Sequence, residues 1–280
     1  MNLLLLDPGE IRNGVVTLGG RRAEHLCKVL KVETGRRVRI GVIDGGTGFG
    51  EVLAVSAGGE VELAVDVADA PAAAGDVSSI DLIVALPRPQ ALHRILQSAA
   101  AMSVRRLDLV NGWRVEKSFF SSPSLRPETV RRHLLLGAEQ GMTTRLPEVA
   151  IERLLVPFVT RLAERDSPPL RLIAHPDAAA PIESCFLLPA SQRQRLPVEI
   201  AIGPEGGWID RELETFHNAG FQPVRLGPWI LRVETAVAAA LAQIELLRRI
   251  AQIDGDHRVP PAGSHDNLVH RSAMRKPEES

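Results

Sequence analysis

Cysteine is scarce in this chain of 280 residues: there are two, Cys27 and Cys185. They are far apart and belong to no ligand pattern, which excludes a disulfide scaffold and a thiolate metal centre. Packed free thiols in a reducing compartment are expected. His257, His265 and His270 lack chelating spacing, so no metal is expected. Charge of one sign is not in excess either, with 33 Lys+Arg against 34 Asp+Glu, so the whole chain gives no global nucleic-acid signal. Long apolar runs are absent. Leu3–Leu6 stops at Asp7-Pro8 and has no basic residues before it, too short for a signal peptide or a membrane span. A cytoplasmic protein is expected. Asp44-Gly-Gly-Thr-Gly48 lacks the G-x-G-x-x-G spacing and a following helix, and reads as a hairpin loop. No Gly-Lys-Ser/Thr follows any glycine loop, which excludes a P-loop.

What is present describes a globular chain, 45% hydrophobic and 24% charged, long enough for one large or two small domains. Residues 1–70 read as strands at Val15–Leu18, Arg37–Ile43, Gly50–Ser56 and Val61–Val67, interrupted by a short helix at Ala23–Val29. Residues 21–39 concentrate positive charge: Arg21, Arg22, Lys28, Lys31, Arg36, Arg37 and Arg39 stand against Glu24 and Glu33. Such a stretch can meet phosphates or be a solvated face. Residues 71–78 are a low-complexity linker.

From residue 79 strands and helices alternate. Strands are expected at Ile80–Ala85, Leu107–Val110 and Leu170–Ala174. Helices are expected at Gln90–Met102, Pro127–Gln140 (with Gly141 at its end) and Pro157–Glu164. Alternation of this kind implies an α/β fold with a parallel sheet covered by helices. Residues 253–280 are polar and read as a disordered tail.

The most informative stretch is Val198–Asp210 with Leu226–Ala236. Each part is a short apolar strand, a Gly/Pro loop and a helix. Asp210 suits an N-cap, Gly220 ends the helix it begins, and Phe221–Leu226 is the next strand. A long alanine-rich helix follows over Glu234–Arg249. Glycines at 203, 206, 207 and 227 let backbone approach another group closely. Two such loops at strand carboxyl ends describe a ligand crevice, or else two ordinary strand–helix turns.

Gly203-Pro-Glu-Gly-Gly207 and Leu226-Gly-x-x-Ile-Leu-Arg232-x-Glu234-Thr-Ala236 resemble the signature loops of the RsmE family. These are SPOUT-class S-adenosylmethionine-dependent methyltransferases acting on N3 of a uridine in 16S ribosomal RNA. The resemblance spans roughly residues 12–250 and is carried most strongly by the C-terminal part. It implies an N-terminal PUA-like β-barrel over 1–70 and a SPOUT domain with a deep trefoil knot over 79–252. It also implies a homodimer, and small-subunit RNA or an assembling small subunit as partner.

For S-adenosylmethionine the resemblance implies binding by His175, Gly203, Glu205, Gly206, Gly207, Leu226, Gly227, Ile230, Leu231, Thr235 and Ala236. Arg232 is the catalytic candidate, holding RNA phosphate or the uridine anion; an ion pair with Glu234 is the alternative. His25-Leu-x-x-Val-Leu-Lys31 resembles the family's basic helix, so Arg12, Arg21, Arg22, His25, Lys28 and Lys31 are RNA-binding candidates. The chain departs from the family at Ala101-Met-Ser-Val104, at Thr143, and at Trp229, where a basic residue is usual. Those departures keep a second reading open, a non-catalytic RNA-binding or ribosome-assembly factor on the same fold, or a relative with another RNA target.

Overall fold

The computed structural model describes residues 2–67, 79–165, 169–187 and 197–256. The expected linker 71–78, and the expected tail from 257 on, lie outside these. Two sheets organise the described residues.

The first is a five-stranded mixed sheet of β1 (Leu4–Leu6), β2 (Val15–Leu18), β3 (Arg37–Val42), β4 (Thr47–Val55) and β5 (Val61–Val67), in the order β1-β3-β4-β5-β2. β1 was unforeseen. It pairs parallel to β3, and its neighbourhood alternates: Leu4 and Leu6 join the core under this sheet, whereas Leu3 and Leu5 join the core of the second. Side chains of a strand point to opposite faces in turn, so one leucine run stitches two cores together. The helix expected at Ala23–Val29 begins earlier, as α1 (Gly20–Glu24), and continues as a π-turn at His25–Val29. The hairpin expected at Asp44–Gly48 joins β3 to β4, with Asp44 at φ 58°.

The second sheet is parallel and six-stranded. In chain order its parts are β6 (Ile80–Ala85), α2 (Pro89–Ala101), β7 (Arg106–Val110), α3 (Pro127–Gly141), β8 (Glu148–Glu152), α4 (Leu155–Ala163), β9 (Leu170–Ala174), β10 (Val198–Ile202), α5 (Asp210–Asn218), β11 (Gln222–Val224) and α6 (Val233–Asp256). Strand order is β11-β9-β10-β6-β7-β8. Every residue of β6 and β10 is buried. Such runs need helices over both faces, and each is β-branched and aliphatic apart from one buried carboxylate at its second position, Asp81 in β6 and Glu199 in β10.

Several elements differ from the sequence expectation: β4 begins at Thr47, α4 at Leu155, and β11 is only Gln222–Val224. Edge strand β8 was missed because Glu148-Val-Ala-Ile-Glu152 has no fully buried position. α3 ends at Gly141 as expected, but the left-handed position is taken by Met142 at φ 59°, while Gly137 and Gly141 let α3 approach the carbonyls of Gln97 and Ala101 on α2. Asp210 is the first residue of α5 rather than its cap, and Glu212 does the capping by accepting from Ile209 N–H at 2.9 Å. The last helix continues past Arg249 to Asp256, into the stretch expected to be tail.

Candidate cofactor crevice

The carboxyl ends of β6, β9 and β10, together with the segment leading into α6, enclose a cavity of about 370 Å³. Its position follows from topology. The later strands β9 and β10 return to the side of β6 opposite β7, so β10 lies between β9 and β6 and their loops converge.

The loop after β10 is a tight turn. Gly207 N–H donates to Pro204 C=O at 2.8 Å, and Gly207 sits at φ 73°, a left-handed conformation that favours glycine. Glycine at 203 answers to packing: a Cβ there would lie 3.1 Å from Trp208 Nε1. Glycine at 206 answers to Arg114, whose Cδ would be 3.0 Å from such a Cβ and whose guanidinium donates to Gly206 C=O. The close approach expected of these glycines is thus made by the protein's own side chains. Trp208 is buried against Phe216, rings 5.1 Å apart, and its indole N–H has no hydrogen-bond partner. A buried donor without a partner is costly, and this one is packed against Gly203 behind the crevice lining.

The second loop is fixed from behind. Gln243 of α6 donates to Leu226 C=O at 2.8 Å, and Arg225 donates to Ala178 C=O at 3.0 Å. Leu226, Ile230, Leu231, Val233 and Ala236 give an apolar wall opposite Ile202 and Trp208.

Of the residues nominated from sequence, the crevice brings together His175, Gly203, Glu205, Gly207, Leu226, Gly227, Ile230, Leu231, Arg232 and Ala236. Gly206 and Thr235 do not line it; both are exposed beside it. Glu205 has a partner already, accepting from Arg88 N–H at 3.2 Å with the Arg88 guanidinium at 3.5 Å. His175 Nδ1 accepts from Asp177 N–H at 3.3 Å. The Arg232–Glu234 ion pair considered above does not form: Glu234 pairs with Arg94 at 3.3 Å, and Arg232 has no carboxylate partner among the described residues. Arg88, Trp208 and Trp229 line the crevice and carried no role in the sequence reading. Pro87-Arg88-Pro89 directly after a buried strand was the available signal for the first.

The basic stretch of the first sheet is less free than its composition implies. Arg21 pairs with buried Glu139 of α3 at 2.9 Å, and Arg22 with Glu10 at 2.6 Å while also donating to Leu5 C=O. His25 Nε2 is buried without a partner, and burial lowers the ring's pKa. Lys28 has only an exposed 3.5 Å contact with Glu24. Arg12 and Lys31 are exposed, with no side-chain ion pair among the described residues. No group of three or more potential metal ligands occurs among the described residues, and no helix there is long and apolar enough to cross a membrane.

An α/β sheet with two glycine loops closing on an apolar crevice defines a class of ligand-binding fold, and comparison with known proteins names the family within it. A family profile described as RNA methyltransferase domain matches residues 76–245. Ribosomal RNA small subunit methyltransferase E of Synechocystis sp. is 30% identical over 247 residues, 87% of this chain and 77% of the relative. The protein of the same name from Treponema pallidum is 27% identical over 248 residues, covering 87% and 90%. The solved structure of that methyltransferase from Neisseria gonorrhoeae, bound to S-adenosyl methionine, shares the fold with TM-score 0.68 at 23% identity, over 88% of this chain and 98% of the other. The chain belongs to the ribosomal RNA small subunit methyltransferase E family.

Proposed function

We propose that this chain transfers a methyl group from S-adenosylmethionine to N3 of a uridine in small-subunit ribosomal RNA. The observation that carries the reading is the closure of loops 203–207 and 226–231 around one apolar cavity of about 370 Å³ at the strand carboxyl ends. That size is within the range of small-molecule sites, roughly 300–1,000 Å³. The residues fit the cofactor. Ile202, Leu226, Ile230 and Leu231 offer a slot for an adenine ring, the Trp208 side chain adds to the same wall, and loop backbone offers groups for the ring nitrogens.

S-adenosylmethionine supplies a methyl group on a positively charged sulfur, so the protein's work is positioning and charge stabilisation. Arg232 lines the crevice and has no carboxylate partner among the described residues, which supports assigning it the stabilisation of the uridine anion left when N3 loses its proton. Glu205 and Arg88 clamp the loops after β10 and β6 together, a supporting role.

The same reading divides the chain into a PUA-like RNA-binding domain (1–70), a linker (71–78), a SPOUT domain (79–252) and a tail (253–280). A deep trefoil knot in the second domain belongs to the same reading and rests on the family resemblance. Arg12, Lys28 and Lys31 are proposed for RNA contact in the first domain, with Arg21, Arg22 and His25 holding that surface in place. Homodimerisation is supported by the apolar groove beside α6, with Leu246 48% and Ile250 41% exposed. The proposed compartment is the cytoplasm.

The test is to titrate the protein with S-adenosylmethionine by calorimetry, then incubate it with the labelled cofactor and small ribosomal subunits lacking the modification, and identify the product nucleoside by mass spectrometry. N3-methyluridine in small-subunit RNA is expected. Cofactor binding without transfer would contradict the enzymatic reading in favour of an RNA-binding factor that has kept the crevice.

A further inference from the structure

The chain has three tryptophans and no tyrosine. Trp208 is buried in the crevice wall at 4% exposure, whereas Trp113 is 81% and Trp229 73% exposed. Both exposed indoles belong to segments at the crevice. Trp229 lines it directly and stands over Gly227, where a Cβ would lie 3.3 Å from the ring. Trp113 is in the loop after β7, which does not line the crevice itself but is held on both sides of Trp113 against the loop after β10. A Cβ at Gly112 would lie 3.5 Å from the Trp208 ring, and Arg114 donates to Gly206 C=O. The backbone N–H of Trp113 itself donates to Glu212 Oε1 at 2.7 Å. Its main chain is therefore fixed while its ring stands in solvent.

Two cations beside the rings are unmatched. Glu205 on the crevice is paired with Arg88 and Glu234 beside it with Arg94, whereas Glu116 and Asp177 are exposed without an ion pair among the described residues. Arg114 and Arg232 have no carboxylate partner among the described residues. Exposed flat rings on a rigid backbone, next to unmatched guanidinium groups, are what an unpaired nucleic-acid strand binds: bases stack on the rings and phosphates meet the cations. A base held in a duplex cannot reach the crevice, and taking it out of its stack has a cost that substitute stacking offsets.

The geometry points to Trp113 and Trp229 as stacking surfaces that hold unpaired RNA bases at the crevice mouth, with Arg114 meeting the backbone between them. This rests on reading the crevice as an RNA methyltransferase site. It adds that the substrate is presented there as single-stranded, unstacked nucleotides, held by rings rather than read base by base.

The test uses the full-length protein and fluorescein-labelled oligouridylate and oligoadenylate, with affinity measured by anisotropy at several salt concentrations and association state by sedimentation velocity. Trp113→Ala is expected to weaken binding of both probes by about tenfold, and Trp113→Phe to restore most of it, since base stacking on aromatic rings is tolerant of sequence. The salt dependence of Trp113→Ala is expected to match the parent, whereas Arg114→Ala lowers the slope by about one phosphate contact. Trp229→Ala is expected to act like Trp113→Ala.

Equal affinity of the parent and both alanine variants would overturn the inference. So would no binding of either probe by the parent, or a change in association state in Trp113→Ala, which would make the ring a contact with a second copy. The wider reading fails separately. Weaker oligonucleotide binding by the variants, with no methyl transfer by the parent, leaves the stacking surface standing and removes the enzyme. Methyl transfer with indifferent variants does the reverse.

Discussion

The two ends of the six-stranded sheet both carry charge, and they use it in opposite ways. At the amino ends a row runs across the strands in register: Arg171 on β9, Glu199 on β10, Asp81 on β6, Arg106 on β7 and Glu148 on β8. Arg171 holds Glu199 at 2.9 Å and donates to Ala219 C=O at 2.8 Å. Arg105 donates to Asp81 at 2.8 Å, Arg106 to Asp108 at 2.9 Å and to Glu148 at 2.6 Å, and Arg165 bonds Glu199. A cavity opens here too, and at about 470 Å³ it is larger than the crevice at about 370 Å³. Yet the charged side chains lining it, Asp81, Arg105, Arg106, Glu148 and Arg165, all hold partners within the protein.

At the carboxyl ends Arg232 and Arg114 lack carboxylate partners among the described residues, and two indoles stand in solvent. Neither cavity size nor density of charge distinguishes a binding site from a structural network. Unmatched charges that reach the cavity do, because their partners have to come from outside; a buried unsatisfied atom alone does not, as His25 Nε2 shows.

The contrast can be broken most severely at Glu199. Burial pushes its carboxyl pKa up, against the opposing pull of Arg171. Glu199→Leu leaves buried Arg171 without its carboxylate and is expected to cost about 3–5 kcal/mol in urea denaturation, with a Glu199→Leu/Arg171→Met pair recovering much of it. A loss below about 1 kcal/mol for the single change would show that the row is not a structural network.

Next in size is Arg232→Ala. Removing one charge stabiliser from a developing anion is expected to lower kcat by about 10²–10³-fold, read in single-turnover methyl transfer. Third is Gly207→Val. At φ 73° a branched side chain costs about 1–2 kcal/mol of backbone strain, expected here as weaker S-adenosylmethionine binding by calorimetry, because the turn it distorts lines the crevice.

The smallest effect concerns the stacked pair His93–His133 between α2 and α3, with ring centroids 3.9 Å apart. Burial lowers both pKa values from the ordinary 6.5. A base depressed by folding contributes stability above its unfolded pKa that is lost as pH falls through the folded one. Acidification below 6.5 should therefore loosen the α2–α3 pair, and His93→Gln should flatten that part of the profile, followed by thermal unfolding at a series of pH values.

What the sequence disclosed follows the same physics. β6, β9 and β10 were legible because strands buried on both faces are short, mostly aliphatic runs, each here broken by a single charged residue, and the 203–207 and 226–231 loops because glycine and proline mark them. The membership of Arg88 in the crevice was not legible: it depends on β10 returning to lie beside β6, a fact of topology that spacing along the chain does not encode. Arg21 and Arg22 show the converse limit. Composition counted them as surface charge, while their partners Glu139 and Glu10 come from elsewhere in the chain. β1 escaped notice because three leucines say nothing about which two cores they face.

The most direct test of the central claim, that chemistry sits where charge is unmatched, compares Arg232→Ala with Glu199→Gln. Methyl transfer to small ribosomal subunits would be measured at a temperature where circular dichroism shows both variants folded. The account predicts that Arg232→Ala loses transfer by about two orders of magnitude or more, while Glu199→Gln, once folded, transfers at the parent rate. Equal losses in the two variants, or full activity in Arg232→Ala, would contradict it.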